Sequence, residues 1–258
     1  MRMRRVPLVI MTSPVTEWVL PGFQIQLGQY GHTEDQDVYS WVRPLVYGYD
    51  ETNVNLLDDY ARDEFTSIGK FSDYPQNKWS DSFIRVLHDL LDNKGISAFW
   101  FMLDDYWITR GVDVDGIKKL YNFHRENHTS VIKIDLTFDR LYSNPGGFDF
   151  YANNEMSVGH LDLIKSLPSS HYHMSLWGGL FSAAPLLELV RPGWTAQEVE
   201  LLGTPLLSKM PYTVYGTRQA PLMHTNICHG GRFFEFPGAK LKESDMDFLR
   251  SVKVTNGR

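Results

Sequence analysis

The chain has 258 residues, of which 43% are hydrophobic and 22% are charged, a composition typical of a globular protein that can bury a sizeable core. Its formal net charge of −6 argues against a protein that coats nucleic acid, and its single cysteine, Cys228, excludes an intrachain disulfide and favours a reducing compartment. No stretch is apolar for long enough to predict a membrane span, so we expect a cytoplasmic protein.

The first half of the chain alternates strand patterns with helix patterns. Short apolar runs bounded by turn residues predict buried strands over residues 6–11, 43–49 and 96–103. Apolar residues at helical spacing predict helices over residues 21–30 and 80–92, the second with Ser80 as its N-cap. Residues 55–70 fit a helix followed by a short strand at 65–68. This alternation predicts an α/β fold.

The second half of the chain mixes short strands, helices and loops. Asp113 is the predicted N-cap of a helix, which is followed by a strand over residues 131–138 and a loop over residues 143–154. Helices are predicted over residues 180–190 and 194–202, the latter capped by Thr195. Further strands or strand-like loops are predicted over residues 171–176, 212–215, 223–229 and 232–236. With no internal repeat or low-complexity linker, we expect one domain.

The most informative stretch is an apolar strand that stops at two adjacent carboxylates, Asp104 and Asp105. A desolvated carboxylate must be paired or must bind a metal. Because ligands of open α/β sheets collect beyond the carboxyl ends of the strands, this acidic pair is a candidate site for a cation and a phosphate. A helix N-cap or a salt-bridged loop is the alternative explanation of the same dipeptide.

The residues around this pair resemble the GT-A-fold glycosyltransferases, most closely a bacterial and phage subgroup. The segment over residues 79–113 carries Leu-Asp-Asp-Tyr-Trp-Ile followed by Arg-Gly-Val-Asp. Further matches follow in the same order, at residues 9–13, 44–49, 173–177 (where Trp177 replaces a Gln), 194–203, Asn226 and Gly230. The resemblance implies a mixed sheet flanked by helices in a single domain, with residues 1–110 binding a nucleotide sugar and residues 111–258 forming the acceptor and catalytic half.

The resemblance also implies a divalent cation, Mn²⁺ or Mg²⁺. The family's Asp-x-Asp motif is Leu-Asp-Asp here, so Asp105 is expected to bind the metal or the diphosphate and Asp104 to lie near the ribose, or the reverse. A late histidine, His224 or His229, is expected to complete the metal shell. A cation held in this way neutralises the negative charge that grows on the departing phosphates.

The remaining site residues follow from the same resemblance. Thr12 and Ser13 are expected to border the nucleotide, and Lys78 and Arg232 are candidate contacts of the diphosphate. An inverting transferase needs a carboxylate that takes the proton of the acceptor hydroxyl. The Glu-x-x-Gly step selects Glu200 for this role, and Glu198 is the second candidate.

The resemblance leaves the acceptor open. It implies a hydroxyl group of a glycan or lipopolysaccharide, or of a hydroxymethylated base in phage DNA, with the enzyme in the bacterial or phage-infected host cytoplasm. A different class is a catalytically inactive protein that binds a nucleotide sugar or another partner. A glycosidase would need two carboxylates that face each other across a sugar, which the adjacent Asp104 and Asp105 cannot provide alone.

Overall fold

The apolar run Val6–Met11 forms the first strand, β1, and all of its residues are buried. The structure is a computed structural model that describes residues 5–73, 78–138, 154–229, 232–233, 241, 243 and 246–247. On one side β1 pairs in parallel with β2 (Val42–Gly48), which pairs in parallel with β3 (Phe65–Ser67). On the other side β1 pairs in parallel with β4 (Ala98–Leu103).

The second half of the chain extends the same sheet beyond β4. Strand β9 (Gly179–Ser182) lies antiparallel between β4 and β6 (Val131–Asp135), and β10 (Thr213–Thr217) pairs in parallel with β6. Strands β8 (Leu161–Lys165) and β7 (Met156–Val158) complete this side. The order of the nine strands is therefore β3-β2-β1-β4-β9-β6-β10-β8-β7.

Two short strand pairs lie outside the large sheet. Strand β5 (Tyr106–Ile108) pairs antiparallel with β11 (His224–Asn226), and β12 (Cys228–His229) pairs antiparallel with β13 (Arg232–Phe233). Because β5 follows β4 after only two residues, the first of these pairs brings the segment 224–226 to the carboxyl edge of the sheet.

Helices cover both faces of the sheet. The first face packs against α1 (Leu20–Gly31), α2 (Val38–Trp41) and α5 (Val114–Glu126), and its buried side chains include Leu8, Ile10 and Trp100. The second face packs against α4 (Trp79–His88), α6 (Ala183–Leu189) and α7 (Ala196–Leu207), and its buried side chains include Val9, Phe99 and Phe101. A short helix, α3 (Asp59–Asp63), connects β2 to β3.

This architecture confirms the predicted α/β class, a mixed Rossmann-like sheet flanked by helices. The predicted caps of two helices are also confirmed. Asp113 accepts a hydrogen bond from the Gly116 N–H at the start of α5, at 3.0 Å. Thr195 accepts one from the Glu198 N–H at the start of α7, at 3.1 Å. Within the described residues, no helix is long and apolar enough to cross a membrane.

The predicted N-cap Ser80 is wrong, because a contact between distant segments takes up its side chain. Helix α4 begins at Trp79, with Lys78 at the cap position. The Ser80 hydroxyl instead accepts a hydrogen bond from the Trp194 N–H at 2.8 Å, and the Ser80 N–H donates to the Trp194 carbonyl. The predicted helix over residues 80–92 ends in a π-helical turn, Asp89–Asn93.

The prediction around residues 171–190 is wrong in two places. Residues 171–176 form turns, with Tyr172 at a positive φ of 51°, and not a strand. The strand is β9, which takes the first residues of the predicted helix at 180–190, so α6 begins only at Ala183. A short apolar run fits a buried strand as well as a helix. Most of the loop predicted over residues 143–154, and residues 234–236, lie outside the described residues.

Candidate active site

The candidate site lies where the order of the sheet reverses. The chain adds β2 and then β3 on one side of β1, and then returns to add β4 on the other side. In open α/β sheets such a reversal leaves a crevice outside the carboxyl ends of the two central strands. Since Met11 pairs with Leu103, the residues that follow them, Thr12 and Asp104, both lie at this crevice.

The acidic pair occupies a tight turn between β4 and β5. Asp104 is buried and Asp105 is half-buried. Among the described residues, Asp104 Oδ2 and Asp105 Oδ1 are buried without a hydrogen-bond partner, and neither carboxylate forms an ion pair. Two carboxylates that are held together without compensation are costly when both are ionised.

Burial raises the pKa values of Asp104 and Asp105. Desolvation raises the pKa of both carboxyl groups well above their usual range, and the charge of Asp104 raises the pKa of Asp105 further. The side chains of Thr16 and Thr12 and nearby backbone hydrogen bonds oppose the rise at Asp104. A proton or a cation therefore stabilises this turn, and oxygen ligands of this kind suit Mg²⁺ or Mn²⁺.

The turn after β1 supplies hydroxyl groups beside the acidic pair. Thr12 is buried, and its N–H donates to the Tyr47 carbonyl of β2 at 2.9 Å. The Ser13 carbonyl accepts the Thr16 N–H at 2.9 Å, and the Ser13 and Thr16 hydroxyl oxygens are 3.1 Å apart. Thr12 and Ser13 are candidates from the sequence but Thr16, which lies in the same turn, is not, although a hydroxyl residue soon after the strand end was a usable signal.

The ribbon of β5 and β11 covers the other side of the acidic turn. The Ile227 N–H donates to the Asp105 carbonyl at 3.0 Å. His224 lies further along the ribbon, paired with Ile108, and its ring meets the Tyr106 ring edge-on at 4.6 Å between centroids. His224 therefore packs beside the residue that follows Asp105.

The remaining candidate ligands, His229 and Arg232, are described by their backbone alone. His229 and Arg232 pair with each other as backbone neighbours in β12 and β13, and their side chains lie outside the description. Across the described residues, no group of three or more His, Cys, Asp or Glu side chains is arranged to hold a metal ion. Among the described residues, the two carboxylates are the protein groups that could bind a cation here, and phosphate oxygens could fill further positions.

The two glutamates of α7 differ in what they do. Glu198 forms a capping box with Thr195, because its side chain accepts the Thr195 N–H at 2.8 Å while its own N–H donates to the Thr195 hydroxyl. Glu200 is half-buried, and its Oε1 accepts the Leu176 N–H at 2.7 Å. Glu198 therefore stabilises the helix, whereas Glu200 reaches the segment that leads into β9.

Topology sets the position of both helices relative to the crevice. Helix α4 leads towards β4 and α7 leads towards β10, and both strands start at the amino edge of the sheet. The starts of these helices, including exposed Lys78 at the start of α4, therefore lie towards the carboxyl edge, where the acidic pair is found, and half-buried Glu200 is the fifth residue of α7.

No protein-family model matches the sequence, and no curated protein matches it. Among solved structures, the chain is similar to a cytidylyltransferase from Leptospira borgpetersenii serovar Hardjo-bovis (strain JB197), with a TM-score of 0.43 and 8% identity over 98% of this chain and 96% of that one. A similarity this low indicates nothing about a shared activity. What the geometry itself supplies is an α/β sheet with a buried carboxylate pair at the reversal of its strand order, and among the described residues this pair has no counter-charge.

Proposed function

We propose that the chain is a glycosyltransferase that moves a sugar from a nucleotide-sugar donor to an acceptor hydroxyl. The observation that carries the proposal is the buried acidic pair, Asp104 and Asp105, which lies beside the hydroxyl-lined turn after β1 and has no counter-charge among the described residues. Such a pair attracts a divalent cation, and a cation at this crevice attracts a diphosphate.

The residues present fit a divalent cation of the Mn²⁺ or Mg²⁺ type. Their unpartnered oxygens, Asp104 Oδ2 and Asp105 Oδ1, are hard ligands, and one or two carboxylates are the usual protein share of a site completed by phosphate. When bound, the cation neutralises the charge that develops on the leaving diphosphate. Thr12, Ser13 and Thr16 then line the nucleotide side, and Lys78 is a candidate contact of the phosphates.

Glu200 is the proposed general base. Its hydrogen bond to the Leu176 N–H fixes the carboxylate on a helix whose N-terminal end faces the carboxyl edge. In an inverting transfer, Glu200 takes the proton of the acceptor hydroxyl while that oxygen bonds to the anomeric carbon and the bond from this carbon to the diphosphate breaks. Glu198 is the weaker choice because its carboxylate is used in the capping box.

The acceptor proposed is a hydroxyl group of a glycan. The net charge of −6 disfavours duplex DNA, whose binding depends on neutralising phosphates with Lys and Arg. Hydroxymethylated DNA remains an outcome of the acceptor test, recognised by binding that weakens steeply as the salt concentration rises.

The test begins with a thermal-shift screen of nucleotide sugars with and without Mn²⁺. A ligand present at 100 times its Kd stabilises the folded state by about 2.7 kcal/mol. The hit is then assayed for release of the nucleotide diphosphate. We expect Asp105→Asn to lower this release by about 100-fold or more, as for the loss of a group that stabilises transition-state charge.

Asp92→Asn is the matched control, because Asp92 is an exposed carboxylate paired with His88 far from the crevice. It should leave release unchanged. If no nucleotide sugar shifts the melting temperature in the presence of Mn²⁺, or if Asp105→Asn releases diphosphate as fast as the unmodified chain, the proposal is wrong. If a nucleotide sugar binds but no acceptor leads to release of the nucleotide diphosphate, the chain is instead an inactive nucleotide-sugar-binding protein.

A further inference from the structure

A second charged pair lies fully buried in β6, close to the carboxyl edge of the sheet. Lys133 and Asp135 have no exposed side-chain surface, and they share one face of the strand because they are two residues apart. The Lys133 ammonium pairs with Asp135 and donates to two oxygens of Ser175, the carbonyl at 2.8 Å and the hydroxyl. It also lies 5.1 Å from the centre of the Phe181 ring.

Stability alone does not explain this pair. Removing two charges from water is costly, and apolar side chains of similar volume are often as stable or more stable at such sites. An ammonium group has three hydrogens to donate, and among the described residues Asp135 and Ser175 supply acceptors for them. The pair therefore fastens one particular piece of chain to the sheet.

That piece of chain is residues 173–178, which belong to no helix or strand. The Met174 N–H donates to the Thr204 hydroxyl of α7 at 3.1 Å, the Leu176 N–H donates to Glu200, and the Gly178 carbonyl accepts the Leu136 N–H at 3.2 Å. Ser175 therefore lies between Met174 and Leu176, which donate hydrogen bonds to Thr204 and Glu200 of α7.

We propose that Lys133 is a positioning residue that fixes Ser175 and, through it, the Leu176 N–H that orients Glu200. This inference rests on the proposed function only in taking Glu200 as the base. The Lys133 side chain touches no reacting atom. It sets the direction of a single backbone N–H, and this N–H sets the direction of the carboxylate.

The first test measures the position of the segment and needs no substrate. The double variant Lys133→Met/Asp135→Leu removes both charges together, so that neither member of the pair is left buried without the other. Amide hydrogen exchange at Leu176 should become about tenfold faster, because the segment opens locally, while amides in the middle of α5 keep their rates.

A control and a milder variant keep this test decisive. Ile117→Val on the other face of the sheet lowers global stability without touching residues 173–178, and it should leave the relative protection of Leu176 unchanged. Ser175→Ala removes one of the two Ser175 acceptors and should give an intermediate rate if the double variant does not fold. Exchange at Leu176 as slow as in the unmodified chain in both variants overturns the proposal.

The second test uses release of the diphosphate from the donor found in the screen. The double variant should lower kcat about tenfold with little change in the KM for the donor, because misplacing a catalytic group affects the reaction step. In a Glu200→Gln background the same change should lower kcat no further, since the two act through one group. Additive losses would show a merely structural role and overturn the proposal. If no donor is found, the proposed function fails and the exchange test still decides the role of Lys133.

Discussion

The buried ionisable side chains of β6, the acidic turn and α5 have three different kinds of surroundings. Lys133 forms an ion pair with Asp135 and donates to Ser175. The acidic pair, Asp104 and Asp105, has no such compensation among the described residues. His124 is buried in the neutral form, between the Val131 carbonyl and the Ser182 hydroxyl. Two neighbouring carboxylates with no counter-charge among the described residues are more stable with a cation than without one, which is why the candidate site is placed there.

His124 makes a prediction about acid stability. Burial lowers its pKa from the usual value of 6.5 to about 4. Since the unfolded chain binds a proton at higher pH than the folded chain does, His124 stabilises the fold above pH 6.5 and this stability is lost as the pH falls towards about 4. The shift corresponds to a change in the free energy of unfolding of roughly 3 kcal/mol.

Urea titrations between these pH values measure the effect. The unmodified chain and His124→Gln should differ in how steeply the free energy of unfolding falls with acidification, the variant having the shallower slope. Equal slopes would show that His124 does not contribute to the acid sensitivity.

At the scale of elements, the contact between α1 and β5 fixes the position of the acidic turn. A Cβ atom added to Gly22 would lie 2.0 Å from the Trp107 ring, so the helix can approach β5 this closely only without a side chain at that position. Trp107 is fully buried and lies two residues after Asp105. The helix that follows β1 therefore braces the turn that follows β4.

Two glycines of α1 provide a matched pair of substitutions. Gly22→Ala should destabilise the chain by about 1–3 kcal/mol, because the ring or the helix must move. Gly28→Ala should instead stabilise it by about 0.5–1 kcal/mol, because nothing lies within 4 Å of its added Cβ and alanine favours the helix. Denaturant unfolding of both variants measures these changes, and a loss at Gly28 equal to that at Gly22 would contradict the packing explanation.

The sequence predicted elements that are decided locally. Strand β1 and the caps Asp113 and Thr195 follow from a short apolar run and from the residue types that accept helix N–H groups. Ser80 and the segment before β9 were mispredicted because contacts with distant residues, such as Trp194, decide them.

The site shows the same division between local and distant signals. The acidic pair is visible in the sequence because two carboxylates end an apolar strand. The Lys133–Asp135 pair is not, since polar residues two apart in a strand suggest a solvent-facing side. That face is buried by residues more than 40 positions later in the sequence, such as Ser175, and no local sequence pattern predicts this contact.

At the scale of the whole molecule, a single sheet joins the two halves that the sequence suggested. Strand β4, from residues 1–110, pairs with β9 from residues 111–258, and β9 pairs with β6. Residues 98–103 are almost completely buried in this arrangement. Neither half can complete its part of the sheet without the other.

A fragment of residues 1–110 should therefore not fold on its own. It would expose one side of β4, an aromatic strand with unpaired backbone groups, and such edges promote aggregation. Circular dichroism and limited proteolysis of the fragment check this expectation, and the full chain under the same conditions is the control. A soluble, protease-resistant fragment with a cooperative melting curve would show that the first half is an independent domain.

The hydrogen bond from Ile227 to Asp105 has a consequence for biosynthesis. The acidic turn leaves the ribosome long before the segment that fastens it, and contacts between residues so far apart in sequence form late. A nascent chain that ends before β11 would contain Asp104 and Asp105 but not Ile227, whose N–H binds the Asp105 carbonyl. The proposed activity should then begin only after β11 has been synthesised, so products truncated before β11 should be inert.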